Sequence, residues 1–200
     1  MRTYTISPVH TGKPVWTEVP YLQVDNVQWL PDAGIRMTQQ LCYDADYLSI
    51  HQRSWEQNIR AQRTGYLQQV CEDSCMEFFF SPAADGRYFN VEINPNGCIH
   101  LGLAYGRHNS AQLVPKKMEE LFDVQAKRLD DGWELFYRIP LSFIQLFYPG
   151  YRWESGTQMR ANCYKCGDLT AQPHYMTWNP VSSDTPDYHR PQDFGLMIFG

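Results

Sequence analysis

The chain has 200 residues, 43% of them hydrophobic and 14% aromatic, and a formal net charge of −5. That is enough apolar material for one domain with a sizeable core, and it excludes a disordered chain. The acidic balance and the lack of any Lys/Arg run argue against nucleic acid and anionic membrane as partners, and no apolar stretch reaches the length of a membrane span.

The opening stretch, "MRTYTISPVHTGKPVW", lacks the basic-then-apolar layout of a secretory leader. As it stands the sequence reads as cytoplasmic, or as secreted if a leader has been removed. From there strand signals come at short intervals. "RMTQQLCYDADYLSIHQRSW" reads as strand, turn and strand, bent at "YDADY". Cys75–Phe80 and Tyr88–Asn94 make a second hairpin around "SPAADGR", followed by a strand at Ile99–Tyr105. In "LFDVQAKRLDDGWELFYRIP", Phe122, Val124 and Ala126 alternate before Asp130-Asp131-Gly132, and Trp133, Leu135, Tyr137 and Ile139 alternate after it. "PLSFIQLF" predicts one short helical turn with Ser142 as its cap. Met159–Lys165, Tyr175–Trp178 and Leu196–Phe199 close the set. Many short strands and little helix predict an all-β fold, an antiparallel two-sheet β-sandwich, in a single domain spanning 1–200.

The second hairpin raises a chemical question. Strand parity puts Met76, Phe78 and Phe80 on one face and Cys75, Glu77 and Phe79 on the other. It likewise sets Phe89, Val91 and Ile93 against Tyr88, Asn90, Glu92 and Asn94. With Phe80 opposite Phe89, antiparallel counting places Glu77 opposite Glu92. Like charges at a Cβ separation of roughly 5 Å repel, so a cation, a ligand hydroxyl or solvent must offset the pair. Arg60, Arg107, Lys165 and Arg190 are the candidate cations, and a protonated glutamate with a raised pKa is the other solution.

The six cysteines are Cys42, Cys71, Cys75, Cys98, Cys163 and Cys166. Cys163-x2-Cys166 beside Cys71-x3-Cys75 has the spacing of a zinc site. Yet "MRANCYKCG" alternates like a strand, which aims Cys163 and Cys166 at opposite faces, so reduced thiols and no metal are expected. No G-x-S-x-G elbow is present, and the histidines sit in unrelated contexts.

"LCYDADYLSIH", "VCEDSCMEFFFSP", "YFNVEINPNG", "GWELFYRIPLS", "ANCYKCGD", "WNP" and "YHRPQDFG" occur in the order seen in carbohydrate-binding family 9-like domains. These are relatives of the family 9 carbohydrate-binding modules and of DOMON sugar- or haem-binding domains, and the chain resembles them from Trp16 to Phe199. The resemblance implies an immunoglobulin-like β-sandwich that binds a mono- or oligosaccharide, without catalysis, in a cleft on one sheet. The chemistry is suited to sugars, whose C–H bonds pack on aromatic faces while carboxylates and amides pair with the hydroxyl rim. By this resemblance Glu77 matches a sugar-contacting carboxylate, Tyr188 a wall of an aromatic clamp, and Trp178 a strand tryptophan read first as core. The candidate ligand-binding residues are thus Glu77, Glu92, Asn90, Asn94, Tyr188, Lys165, Arg190 and Trp178. "QQVCEDSC" offers no second clamp ring, which leaves Trp55 or Tyr66 to supply it.

No cofactor is expected. The resemblance leaves calcium open, since related modules bind it and "YDADY" offers Asp44 and Asp46, but too few ligands converge in the sequence to fill its shell. No spacing selects a haem pair among Met76, Met176, His100 and His174. One alternative is a sandwich that has lost sugar binding and serves as an interaction or structural domain. A glycoside hydrolase built on the two carboxylates is the other.

Overall fold

The structure, a computed structural model, describes residues 1–9 and 13–200. Its strands are β1 (Thr3–Pro8), β2 (Tyr21–Val24), β3 (Asn26–Val27), β4 (Arg36–Tyr43), β5 (Tyr47–Trp55), β6 (Cys75–Ser81) and β7 (Tyr88–Ile93). They continue with β8 (Ile99–Ala104), β9 (Ser110–Gln112), β10 (Gln125–Leu129), β11 (Gly132–Pro140), β12 (Gln158–Cys166), β13 (Tyr175–Thr177) and β14 (Gly195–Phe199). Two five-residue helices, α1 (Met118–Phe122) and α2 (Leu141–Gln145), lie between them. Among the described residues no helix is long and apolar enough to cross a membrane.

The fold is an all-β sandwich. One sheet runs β14-β12-β6-β7-β8-β9, with β13 added to β12 and β3 to β13; the other runs β10-β11-β5-β4, with β2 added to β4. β1 links the two, and here the antiparallel expectation needs correcting. Its first half pairs in parallel with β14 (Thr3 with Leu196), and its end pairs in parallel with β4 (Ser7 with Cys42). No short hairpin loop joins β1 to either partner, so local turn signals leave its direction open.

Turn chemistry sets the hairpins. At "YDADY", Asp44 Oδ1 accepts the N–H groups of Asp46 and Tyr47, both at 2.8 Å, and closes the β4–β5 bend. At the β10–β11 turn a Cβ on Gly132 would lie 2.0 Å from the Ser54 carbonyl oxygen, so only glycine fits. Two local readings change. Phe122 ends α1 instead of starting a strand, and Asp123, left-handed at φ 47°, turns the chain so that β10 begins at Gln125. The buried side of α1 mimics the alternation of a strand. Helix α2 forms where expected, but Pro140 stands at its N-cap without a side-chain bond and Ser142 lies inside the helix.

The inner faces of the sheets enclose the core, in which Phe78, Phe80, Phe89, Val91, Leu101, Ile50, Leu48 and Leu135 are all buried. The outer face of β6 and β7 is covered as well. Phe79, Tyr88 and Tyr164 form a second apolar cluster with Tyr188, Val181 and Phe194 from the segment after β13 and with Val70 from the loop before β6. Hence every residue of β6 and β7 is buried, polar ones included. A polar side chain in such a place requires a partner. That layer of loops over a sheet is where the candidate site forms.

Candidate functional site

The register answers the question of the two glutamates. Phe80 pairs with Phe89 and Glu77 with Glu92, and the row continues through Glu92 to His100 on β8 and through Tyr164 on β12. Asn90 pairs with Gly102, which pairs with Gln112 on β9. Phe80 and Phe89 face the core, whereas Glu77, Glu92, Asn90, His100, Gly102 and Gln112 lie on the outer face of the sheet, beneath the covering loops. The latter floor a cleft of about 470 Å³, whose far side carries Arg107, Asp187 and His189.

The floor is polar and tightly arranged. The Asn90 amide donates to Glu92 Oε1 at 2.9 Å, while Asn90 Oδ1 is buried with no partner among the described residues. Gly102 makes room for that oxygen, since a Cβ there would sit 2.2 Å from it. Gln112 Nε2 lies 3.1 Å from His100 Nδ1. Glu77 is only 2% exposed, and its Oε1 accepts from the Cys166 thiol at 3.0 Å. Burial, and next the neighbouring Glu92, push the Glu77 carboxyl well above the ordinary carboxylate range. That upward shift is in the direction that relieves the like-charge repulsion of the opposed pair. Burial also raises Asp168 and lowers His189 at the rim.

Three rings wall one side. Tyr188 stacks on Tyr164 with centroids 4.0 Å apart and planes 10° from parallel, and its hydroxyl donates toward the carbonyls of Lys165 and Met176. Trp29 lies 5.5 Å from both Tyr188 and Tyr175, held by its indole N–H on the Ser183 carbonyl at 2.7 Å. Trp29 and Tyr175, rather than Trp55 or Tyr66, are the rings that stand beside Tyr188 at the cleft. Trp55 instead lies under the guanidinium groups of Arg36 and Arg53, and the exposed Tyr66 donates to Glu119.

Of the eight sequence candidates, Glu77, Glu92, Asn90 and Tyr188 come together around the cleft. The other four do not. Asn94 shares their strand face, but loop 61–73 covers it. Its amide donates to the Arg63 carbonyl and to Asp73 Oδ2, and its Oδ1 accepts from Asn96 and Cys98. Lys165 pairs with Met76, on the face opposite Glu77. Fully buried, its Nζ reaches Glu56 Oε1 at 3.1 Å, His174 Nε2 at 2.8 Å and the Cys166 carbonyl at 3.0 Å. Arg190 lines a neighbouring cavity and is held by Asp193 and Ser182. Trp178 is core, its ring packed over Gly195. Of the other candidate cations, Arg107 reaches the cleft, bonded to Asp187 at 2.9 Å, while Arg60 is tied to Asp73. Trp29, Tyr175, His100, Asp168 and Gln112 escape sequence reasoning. Strand parity from Glu92 points to His100; the rest arrive on loops or on short strands without a local signal.

The sequence matches the family model for carbohydrate-binding family 9 over residues 14–199. No curated protein matches it. Among solved structures, a candidate carbohydrate-binding protein from Bacteroides uniformis ATCC 8492 superposes with a TM-score of 0.83 at 24% identity, covering 100% of this chain and 99% of that one. A family 9 carbohydrate-binding module from Caldicellulosiruptor kristjanssonii in complex with glucose gives 0.69 at 12% identity, covering 100% and 96%. A module of the same family and organism in complex with cellotriose gives 0.68 at 12%, covering 99% and 93%. These three share the fold, and the family match spans nearly the whole sequence: the chain belongs to carbohydrate-binding family 9.

Proposed function

We propose that the cleft over β6–β9 binds a mono- or oligosaccharide and releases it unchanged. One observation carries this reading. Asn90 Oδ1 is a buried acceptor with no partner among the described residues, at the cleft floor, beside two carboxyl groups and beneath a wall of three rings. A lone buried acceptor costs free energy until a donor reaches it. A sugar supplies that donor from its hydroxyl rim while its C–H face packs on Trp29 or Tyr175. The cleft volume lies within the roughly 300–1,000 Å³ of small-molecule sites.

Family membership supports the same reading, and the two similar modules that hold glucose and cellotriose name the first probes. The carboxyl arrangement speaks against hydrolysis. Glu77 and Glu92 rise side by side from adjacent strands, so both approach a ligand from below. Glycosidases need their two carboxyls on either side of the scissile bond.

Calorimetric titration with glucose and cello-oligosaccharides, backed by a glycan array, tests the proposal. A few hydroxyl bonds and one or two stacked rings give a Kd of roughly micromolar to millimolar. Asn90→Ala should weaken it at least about tenfold, the worth of one hydrogen bond to a buried group. No binding across the array would refute the reading, and reducing-sugar release abolished by Glu77→Gln would replace it with an enzyme.

A further inference from the structure

We propose that Cys75, Cys166 and Glu77 form a binding site for one soft divalent cation, zinc(II) or its analogues, at the back of the cleft floor. The site arises from a juxtaposition across two strands. Cys75 and Cys166 are register partners on β6 and β12, and Glu77 lies two residues beyond Cys75, on the same face. Both sulfurs and a carboxylate oxygen lie within 4.8 Å of one another, and all three side chains are buried. Cys166 Sγ is already 3.0 Å from Glu77 Oε1.

A tetrahedral zinc site, with bonds of about 2.3 Å to sulfur and 2.0–2.2 Å to oxygen, sets its ligand atoms roughly 3.5–3.8 Å apart. Small side-chain rotations bring the three donors to that spacing. Two thiolates and one carboxylate favour zinc over calcium or magnesium, which take oxygen-rich shells. Three protein ligands leave a fourth position, and Glu77 and Cys166 both line the cleft, so that position opens toward it. A cation here would also offset the opposed glutamates. Cys163, the other half of the Cys-x2-Cys spacing, pairs with Phe78 on the core face and takes no part. The second thiol comes from β6 instead. This inference does not rest on sugar binding, because occupancy is read with no sugar present.

The test uses the reduced full chain. Cobalt(II) titration should bring up a thiolate-to-metal charge-transfer band that saturates at one ion per chain. X-ray absorption of the zinc form should show two sulfurs at about 2.3 Å and lighter atoms at about 2.0 Å. Cys75→Ser and Cys166→Ser should each lower affinity by more than about 100-fold and Glu77→Gln by at least about tenfold, with Cys98→Ser unchanged. If a cysteine variant fails to fold, the absorption spectrum of the unaltered chain decides. The proposal is overturned if the reduced chain retains no ion, if the shell holds no sulfur or more than two, or if Cys166→Ser binds like the parent. A Cys75–Cys166 disulfide that survives reductant overturns it too.

Discussion

Replacing Lys165 by Met tests the placement that departs furthest from the sequence reading. The substitution keeps the length and apolar stem of the side chain and removes only the ammonium group. Nζ then no longer serves Glu56, His174 or the Cys166 carbonyl. Glu56 Oε1 keeps its bonds from the Trp133 indole and Ser54 hydroxyl, at 2.7 and 2.9 Å, but the buried carboxylate loses its only cation among the described residues. Breaking a buried ion pair from one side costs about 3–5 kcal/mol, a large share of the roughly 5–15 kcal/mol that holds a domain folded. Urea unfolding followed by tryptophan fluorescence should report that loss near neutral pH. Glu56→Gln added to Lys165→Met removes the stranded charge and should recover most of it.

The pH dependence has a definite sign. Burial pushes the Glu56 carboxyl up, but Lys165 together with bonds from Trp133, Ser74 and Ser54 outweighs it and holds the group below its ordinary value. In the parent, Glu56 therefore contributes stability that is present above the unfolded pKa and lost as pH falls through the folded one. Without Lys165 the folded pKa rises, so the penalty of the variant is largest near neutral pH and shrinks as the solution is acidified. Sugar affinity of the folded variant should match the parent, since Lys165 faces away from the cleft. A loss below about 1 kcal/mol, a double variant no better than the single one, or a collapse of sugar affinity with the fold intact would refute this reasoning.

Gly102→Ala places a Cβ against Asn90 Oδ1, the movable end of a side chain. Calorimetry should show at least about tenfold weaker sugar binding, with unfolding free energy within about 1 kcal/mol of the parent. Trp29→Ala should lower affinity by about 1–2 kcal/mol, or 5- to 30-fold, while Tyr66→Ala leaves it unchanged. Gly132→Ala meets backbone at the Ser54 carbonyl, which cannot rotate away, and should cost at least about 2 kcal/mol in urea unfolding.

How far the sequence can be read follows from the range of each signal. The β6–β7 hairpin is legible to the residue, because Phe80, Phe89, Glu77 and Glu92 are placed by a short loop and a two-residue period. The same parity correctly splits Cys163 from Cys166. It does not say which face of β12 meets Glu77, since β6 and β12 are separated by more than seventy residues. Lys165, expected at the cleft, therefore faces the core. Asn94 has the right parity and the wrong cover, because only the tertiary path of loop 61–73 brings Asp73 and the Arg63 carbonyl onto it. Trp29 and Tyr175 are invisible as cleft walls for a similar reason: they meet Tyr188 only after the segment following β13 folds across the outer face. The β6 stretch "CMEFFFS", apolar toward both faces apart from Glu77 and its final serine, is the one local hint that this outer face is covered.

The central claim is that a sugar occupies the floor of β6–β9. Its most direct test is a titration of the isotope-labelled chain with glucose and cellotriose, followed by amide, indole and side-chain amide resonances. The account predicts saturable shifts confined to Asn90, Glu92, His100, Gly102 and the Trp29 indole, with the Lys165–Glu56–His174 cluster undisturbed. Saturable shifts centred on that cluster, or none at all at millimolar sugar, would contradict it.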